Sequence, residues 1–113
     1  LGKLEATPEP AGSGTMLDNT LVLFGSASSA FHLSRNYPLV LAGGGSMGFR
    51  HGQYLNRAGD QVQGGAWDGG TEPWQEEQLR EDLPLANLFV TMLQRLGVEI
   101  DRFADSSGTV DEV

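Results

Sequence analysis

Cysteine is absent from the 113 residues, which removes a disulfide framework, a Cys-type zinc site and a thiol nucleophile together. That absence fits either redox compartment. Positive charge is scarce: seven Lys and Arg stand against fifteen Asp and Glu, giving a formal net charge of −8. A surface of that sign repels phosphate backbones and anionic membranes, so nucleic acid is not an expected partner. No apolar run approaches the roughly 20 residues that span a bilayer, so membrane insertion is not expected either. An initiator Met and a signal peptide are also missing, and the opening LGKLEATPEP reads as the middle of a longer protein.

At 39% hydrophobic and 19% charged, with 16 glycines, the chain is loop-rich without the composition of a disordered one. Its length allows one modest domain, or part of one. Residues 1–19 carry Pro8, Pro10, Gly12 and Gly14 and read as a linker or surface loop, with a short helical end possible at 1–6. Residues 20–103 form the α/β segment. TLVLFGS (20–26) and PLVLAGG (38–44) are apolar on both faces and read as buried strands of a parallel or mixed sheet. Between 56 and 82 runs a long Gly-rich loop, an unusual feature inside a compact domain, consistent with a functional loop, an insertion, or a segment packed on something else. Leu85, Leu88, Phe89, Met92, Leu93 and Leu96 repeat with helical spacing, predicting one amphipathic helix over 83–96 with Asp82 as N-cap, Pro84 in its first turn and Gly97 just past its end. Residues 104–113 form an acidic tail.

LVLAGGGSMG (39–48) contains G-x-G-x-x-G. Nucleotide binding through that motif needs a helix starting at the last glycines and an acidic residue about twenty positions on. The next residues, FRHGQYLNRAG, have no amphipathic period, and Asp60 and Asp68 sit in loop-like sequence. A tight turn with φ > 0 is the preferred reading, and no nucleotide cofactor is expected. His32 and His51 come after the two strands, where metal ligands and acid–base groups commonly sit, but neither has an H-x-H or H-x-x-x-H partner. A surface histidine is the default for each. GSASS (25–29) does not match the nucleophile elbow. EEQLRED (76–82) lacks the alternating acids of a calcium loop and reads as a solvated face leading into the helix. Trp67 and Trp74 flank DGGTEP and would form a sugar or partner platform if exposed, or a lid over a small core if buried.

The order GTMLDNTLVLFGS, HLSRNYPLVLAGGG, PLANLFVTMLQRLGV, FADSSGTVDEV resembles the C-terminal part of the exported bacterial family of unknown function called HXXSHH. The likeness covers nearly the whole chain and is weakest around 56–82. A more distant likeness runs to the alkaline phosphatase and sulfatase superfamily, in which a strand of this kind ends in a metal-binding Asp-His pair. At the matching positions stand Ala27 and Ser28, which do not bind a divalent cation as a carboxylate and an imidazole do. His32 is the one loop residue that could stand in as a ligand, with His51 a lesser candidate. The superfamily's nucleophile and other ligands lie in N-terminal sequence that these residues do not include, and the HXXSHH motif itself does not occur in them.

The expectation is therefore a partial alkaline-phosphatase-like sheet with one amphipathic helix and long Gly-rich loops. The resemblance implies an exported, periplasmic or cell-surface protein. This segment would be structural or partner-binding, completed by the missing N-terminal portion of the same protein or by another chain. The alternative is part of a metal-dependent phosphate- or sulfate-ester hydrolase with a degenerate metal site and a divalent cation as cofactor.

Overall fold

The computed structural model describes residues 1–28, 38–57 and 82–113. In chain order these hold a one-turn helix α1 (Gly2–Glu5), strand β1 (Leu21–Gly25), strand β2 (Leu39–Gly43), a 3-10 turn at Gly45–Met47 and helix α2 (Ala86–Arg95). The fold is a small mixed one, with two antiparallel strands and one helix of ten residues.

β1 and β2 pair with Leu21 opposite Gly43, Leu23 opposite Leu41 and Gly25 opposite Leu39. The sequence expectation of buried parallel or mixed strands differs here in two respects. The pair is antiparallel, with no parallel pair among the described residues, and neither strand has a fully buried residue. An apolar pattern on both faces reports that a strand wants cover; it does not encode the direction of its neighbour. Because paired residues share a face, Val22, Phe24, Val40 and Ala42 lie on one side of the hairpin. Phe24 is 74% exposed and Val40 57%.

Residues 17–20 dock on the end of this hairpin, and residues 7–16 before them fold back on themselves. Pro8 and Thr15 form an antiparallel bridge. The turn after it is closed by Asp18 N–H donating to Thr15 O at 3.0 Å. The Asp18 carboxylate accepts from Thr15 N–H at 2.7 Å and from the Thr15 hydroxyl at 2.9 Å.

α2 begins later than its apolar period predicts. Leu85 occupies the N-cap, without a side-chain cap bond, so Asp82 and Pro84 lie in the preceding turn, where Pro84 O accepts from Asn87 N–H at 3.0 Å. Its end agrees with expectation: Gly97 has φ +85, its N–H donates to Gln94 O at 2.9 Å, and Val98 N–H donates to Leu93 O at 3.0 Å. This is the paired 5→2 and 6→1 closure that a left-handed glycine permits.

The buried face of α2 is not the leucine stripe. Ala86, Asn87, Val90 and Thr91 are buried, whereas Leu96 is 50% exposed. At 100° per residue these two sets lie on roughly opposite sides of the helix. Among the described residues the buried apolar core is Phe49, Ala86 and Val90. The Arg95 guanidinium stacks 4.7 Å from the Phe49 ring centroid and donates to Gly48 O at 2.8 Å, joining the helix end to the exit of β2.

Candidate functional site

The glycine turn after β2 is the place where a nucleotide motif would act. Gly43, Gly44 and Gly48 all have φ between +71 and +84. A Cβ on Gly43 would stand 2.0 Å from Thr20 O, and one on Gly44 would stand 2.7 Å from Phe49 Cδ2. Close backbone approach and left-handed φ both require glycine. The amides are engaged: Gly44 N–H donates to Leu17 O and Ser46 N–H to Asp18 O, both at 3.0 Å, and Met47, Gly48 and Phe49 donate to Gly44 O or Gly45 O. Pyrophosphate binding needs free amides at the start of an α-helix, whereas the chain leaves β2 through a three-residue 3-10 turn. The geometry docks the glycines onto the 17–20 segment.

His51 stands next to this turn and is exposed, with Nε2 2.6 Å from Gly43 O. A carbonyl only accepts, so Nε2 carries the hydrogen of this bond. Among the described residues no group of three or more His, Asp or Glu side chains could share a metal ion. His32, Trp67 and Trp74 lie outside the described residues, as does most of EEQLRED. At the exit of β1 Ala27 is exposed, and Ser28 N–H donates to the Ser26 hydroxyl at 3.2 Å in a short local turn.

Two further features were not legible as sites in the sequence. The first is the seat of residues 106–112. Asn87 Oδ1 accepts from Ser107 N–H at 2.8 Å and Gly108 N–H at 3.1 Å, and Asn87 Nδ2 donates to the Ser107 hydroxyl at 3.3 Å. Thr91 Oγ1 accepts from Val110 N–H at 2.8 Å and lies 3.1 Å from Asn87 O, to which it donates. On the other side Arg50 donates to Asp111 O and Gln53 to Glu112 O, while Arg57 pairs with the Glu112 carboxylate at 2.8 Å. Thus 106–112, a tail by composition, lies between α2 and the 50–57 segment. The arginine beside Glu112 holds its carboxyl below the ordinary glutamate value. The available signal was the i, i+4 pair Asn87 and Thr91, polar residues opposite the leucine stripe.

The second is an apolar groove of about 310 Å³ lined by Phe89, Met92, Leu93, Leu96 and Phe103. Phe89 and Phe103 meet edge to face, with centroids 6.0 Å apart and an interplanar angle of 84°. The predicted core stripe of α2 therefore borders an open groove.

Comparison with protein-family models, with curated proteins and with solved structures finds no match to this chain.

Proposed function

We propose that this chain is a structural or partner-binding α/β segment, the C-terminal part of an exported HXXSHH-like protein, and that it carries no catalysis of its own. The observation that supports this reading is the open apolar side of the hairpin, where Phe24 is 74% and Val40 57% exposed. A two-stranded hairpin is marginal in water and gains its stability from further strands or a covering layer. Strands this apolar on both faces fit the middle of a larger alkaline-phosphatase-like sheet, with the remaining strands and helices supplied by the rest of the same protein or by another chain. The location that goes with this reading is periplasmic or cell-surface.

Ala27 and Ser28 support the non-catalytic part of the proposal. Where the superfamily's strand delivers a carboxylate and an imidazole to a cation, these two side chains offer a methyl group and a hydroxyl. Phosphoryl or sulfuryl transfer needs a nucleophile and cationic charge stabilisation.

Two measurements test the reading. The purified chain, analysed for metals and screened on phosphate and sulfate esters, should show neither a stoichiometric cation nor turnover. A bound divalent cation lost in His32→Ala would replace this proposal with the hydrolase. Phe24→Lys with Val40→Glu, an opposite-charge pair across the strands, should abolish self-association or partner capture by the chain in sedimentation while leaving its circular dichroism unchanged. Unchanged association would remove the hairpin face from the account.

A further inference from the structure

We infer that residues 106–112 form an exchangeable strap, one that leaves its seat by local opening while the rest of the chain stays folded, and that the emptied seat accepts the same segment of a second copy. This does not depend on the family resemblance. The seat recognises the strap as a peptide groove recognises a ligand: side chains bind its backbone, and one ion pair reads its sequence. Asn87 takes the amides of Ser107 and Gly108, and Thr91 takes that of Val110. Arg50 and Gln53 take the carbonyls of Asp111 and Glu112, and Arg57 takes the Glu112 carboxylate. The strap buries little in return: Ser106 is buried and Val110 half-buried, while 107–109 and 111–112 are exposed. A segment held by polar contacts and little apolar burial belongs to the low-stability end of a fold and opens ahead of the core.

A hinge stands directly before the strap. Ala104 has φ +50, the one described non-glycine residue with positive φ. The turn is set by Phe103 N–H donating to the Ser106 hydroxyl and Ser106 N–H donating to Phe103 O, both at 2.9 Å. An alanine in the left-handed region is strained. A strap that extends across to a second copy can relax that φ and keep every contact with its seat. The second copy is the fitting occupant because it carries, five residues apart, the two side chains that the seat binds, the Ser107 hydroxyl at Asn87 Nδ2 and the Glu112 carboxylate at Arg57.

Hydrogen exchange on the full chain tests the opening. The amides of Ser107, Gly108 and Val110 should exchange on the order of 100-fold faster than that of Val90, through an opening that leaves α2 protected. Exchange at the same rate as Val90 would make the strap part of the core and overturn the proposal. A full-chain S107P/V110P variant, whose strap has lost two of its three backbone donors to the seat, should bind a fluorescent peptide of residues 104–113 with 1:1 stoichiometry. Adding Asn87→Ala should weaken that binding at least tenfold, and Glu112→Gln in the peptide should weaken it severalfold. Failure of the peptide to bind a variant with wild-type helix content would overturn the proposal. If the variant does not fold, the wild-type chain decides: the exchange comparison must show the opening, and a fluorescent peptide of residues 104–113 must bind the wild-type chain with an affinity that Glu112→Gln in the peptide weakens severalfold; absence of either overturns the proposal.

Discussion

Gly43 and Gly48 have nearly the same backbone conformation, φ +78 and +84, in different surroundings. A Cβ at Gly43 would collide with Thr20 O at 2.0 Å and Leu17 O at 2.8 Å, whereas one at Gly48 meets nothing within 4 Å. Gly48→Ala should therefore cost only the left-handed conformational penalty, about 1 kcal/mol. Gly43→Ala should cost about 3 kcal/mol or more, because backbone must move. Urea midpoints of the two variants against wild type measure the difference, and equal costs would mean that the 17–20 segment is not docked on this turn. G-x-G-x-x-G shows in the sequence as a string of glycines; which of them are crowded by a neighbouring carbonyl depends on a segment more than 20 positions upstream of Gly43.

For α2 the element and its C-terminal stop were legible from apolar spacing and Gly97, while its orientation was not. Periodicity locates a stripe and says nothing about which stripe meets the rest of the chain. Asn87 and Thr91 bind the backbone of 107–110, so the side of the helix that carries them is the one this segment covers. Val90, fully buried between them, is the residue whose loss should matter. Val90→Ala should cost about 2 kcal/mol, and Leu96→Ala, half exposed at the edge of the groove, less than about 1 kcal/mol. Denaturant titrations of the two variants check the order; the reverse order would return the leucine stripe to the core.

Two carboxylates titrate below their ordinary range, Asp18 closing its own turn and Glu112 tying the 106–112 segment to Arg57. Asp18 is lowered first by the Thr15 backbone N–H and then by the Thr15 hydroxyl. Glu112 is lowered chiefly by the hydrogen bond from Arg57. A carboxylate whose folded value is depressed contributes stability at pH above its unfolded value, and that contribution is lost as pH falls through the folded value. Thermal unfolding should accordingly be steady above about pH 5 and decline below about pH 4. Asp18→Asn and Glu112→Gln should each lower the neutral-pH midpoint and flatten the acid limb. An acid limb as steep as wild type in both variants would show that other carboxylates govern it. The net charge of −8 adds its own repulsion at neutral pH and does not alter these signs.

The sequence by itself determined the small size, the excess of acid, the positions of both strands, and the helix with its glycine stop. Each comes from composition or from neighbours within a few residues. Tertiary structure alone decided that the strands pair antiparallel, that the polar side of α2 is buried, and that an acidic run at 106–112 is strapped to it. Those outcomes depend on pairings between residues 14 to 61 positions apart, such as Gly25 with Leu39, Val110 with Thr91 and Arg50 with Asp111. Local pattern carries no information about which distant amide a side-chain oxygen will meet.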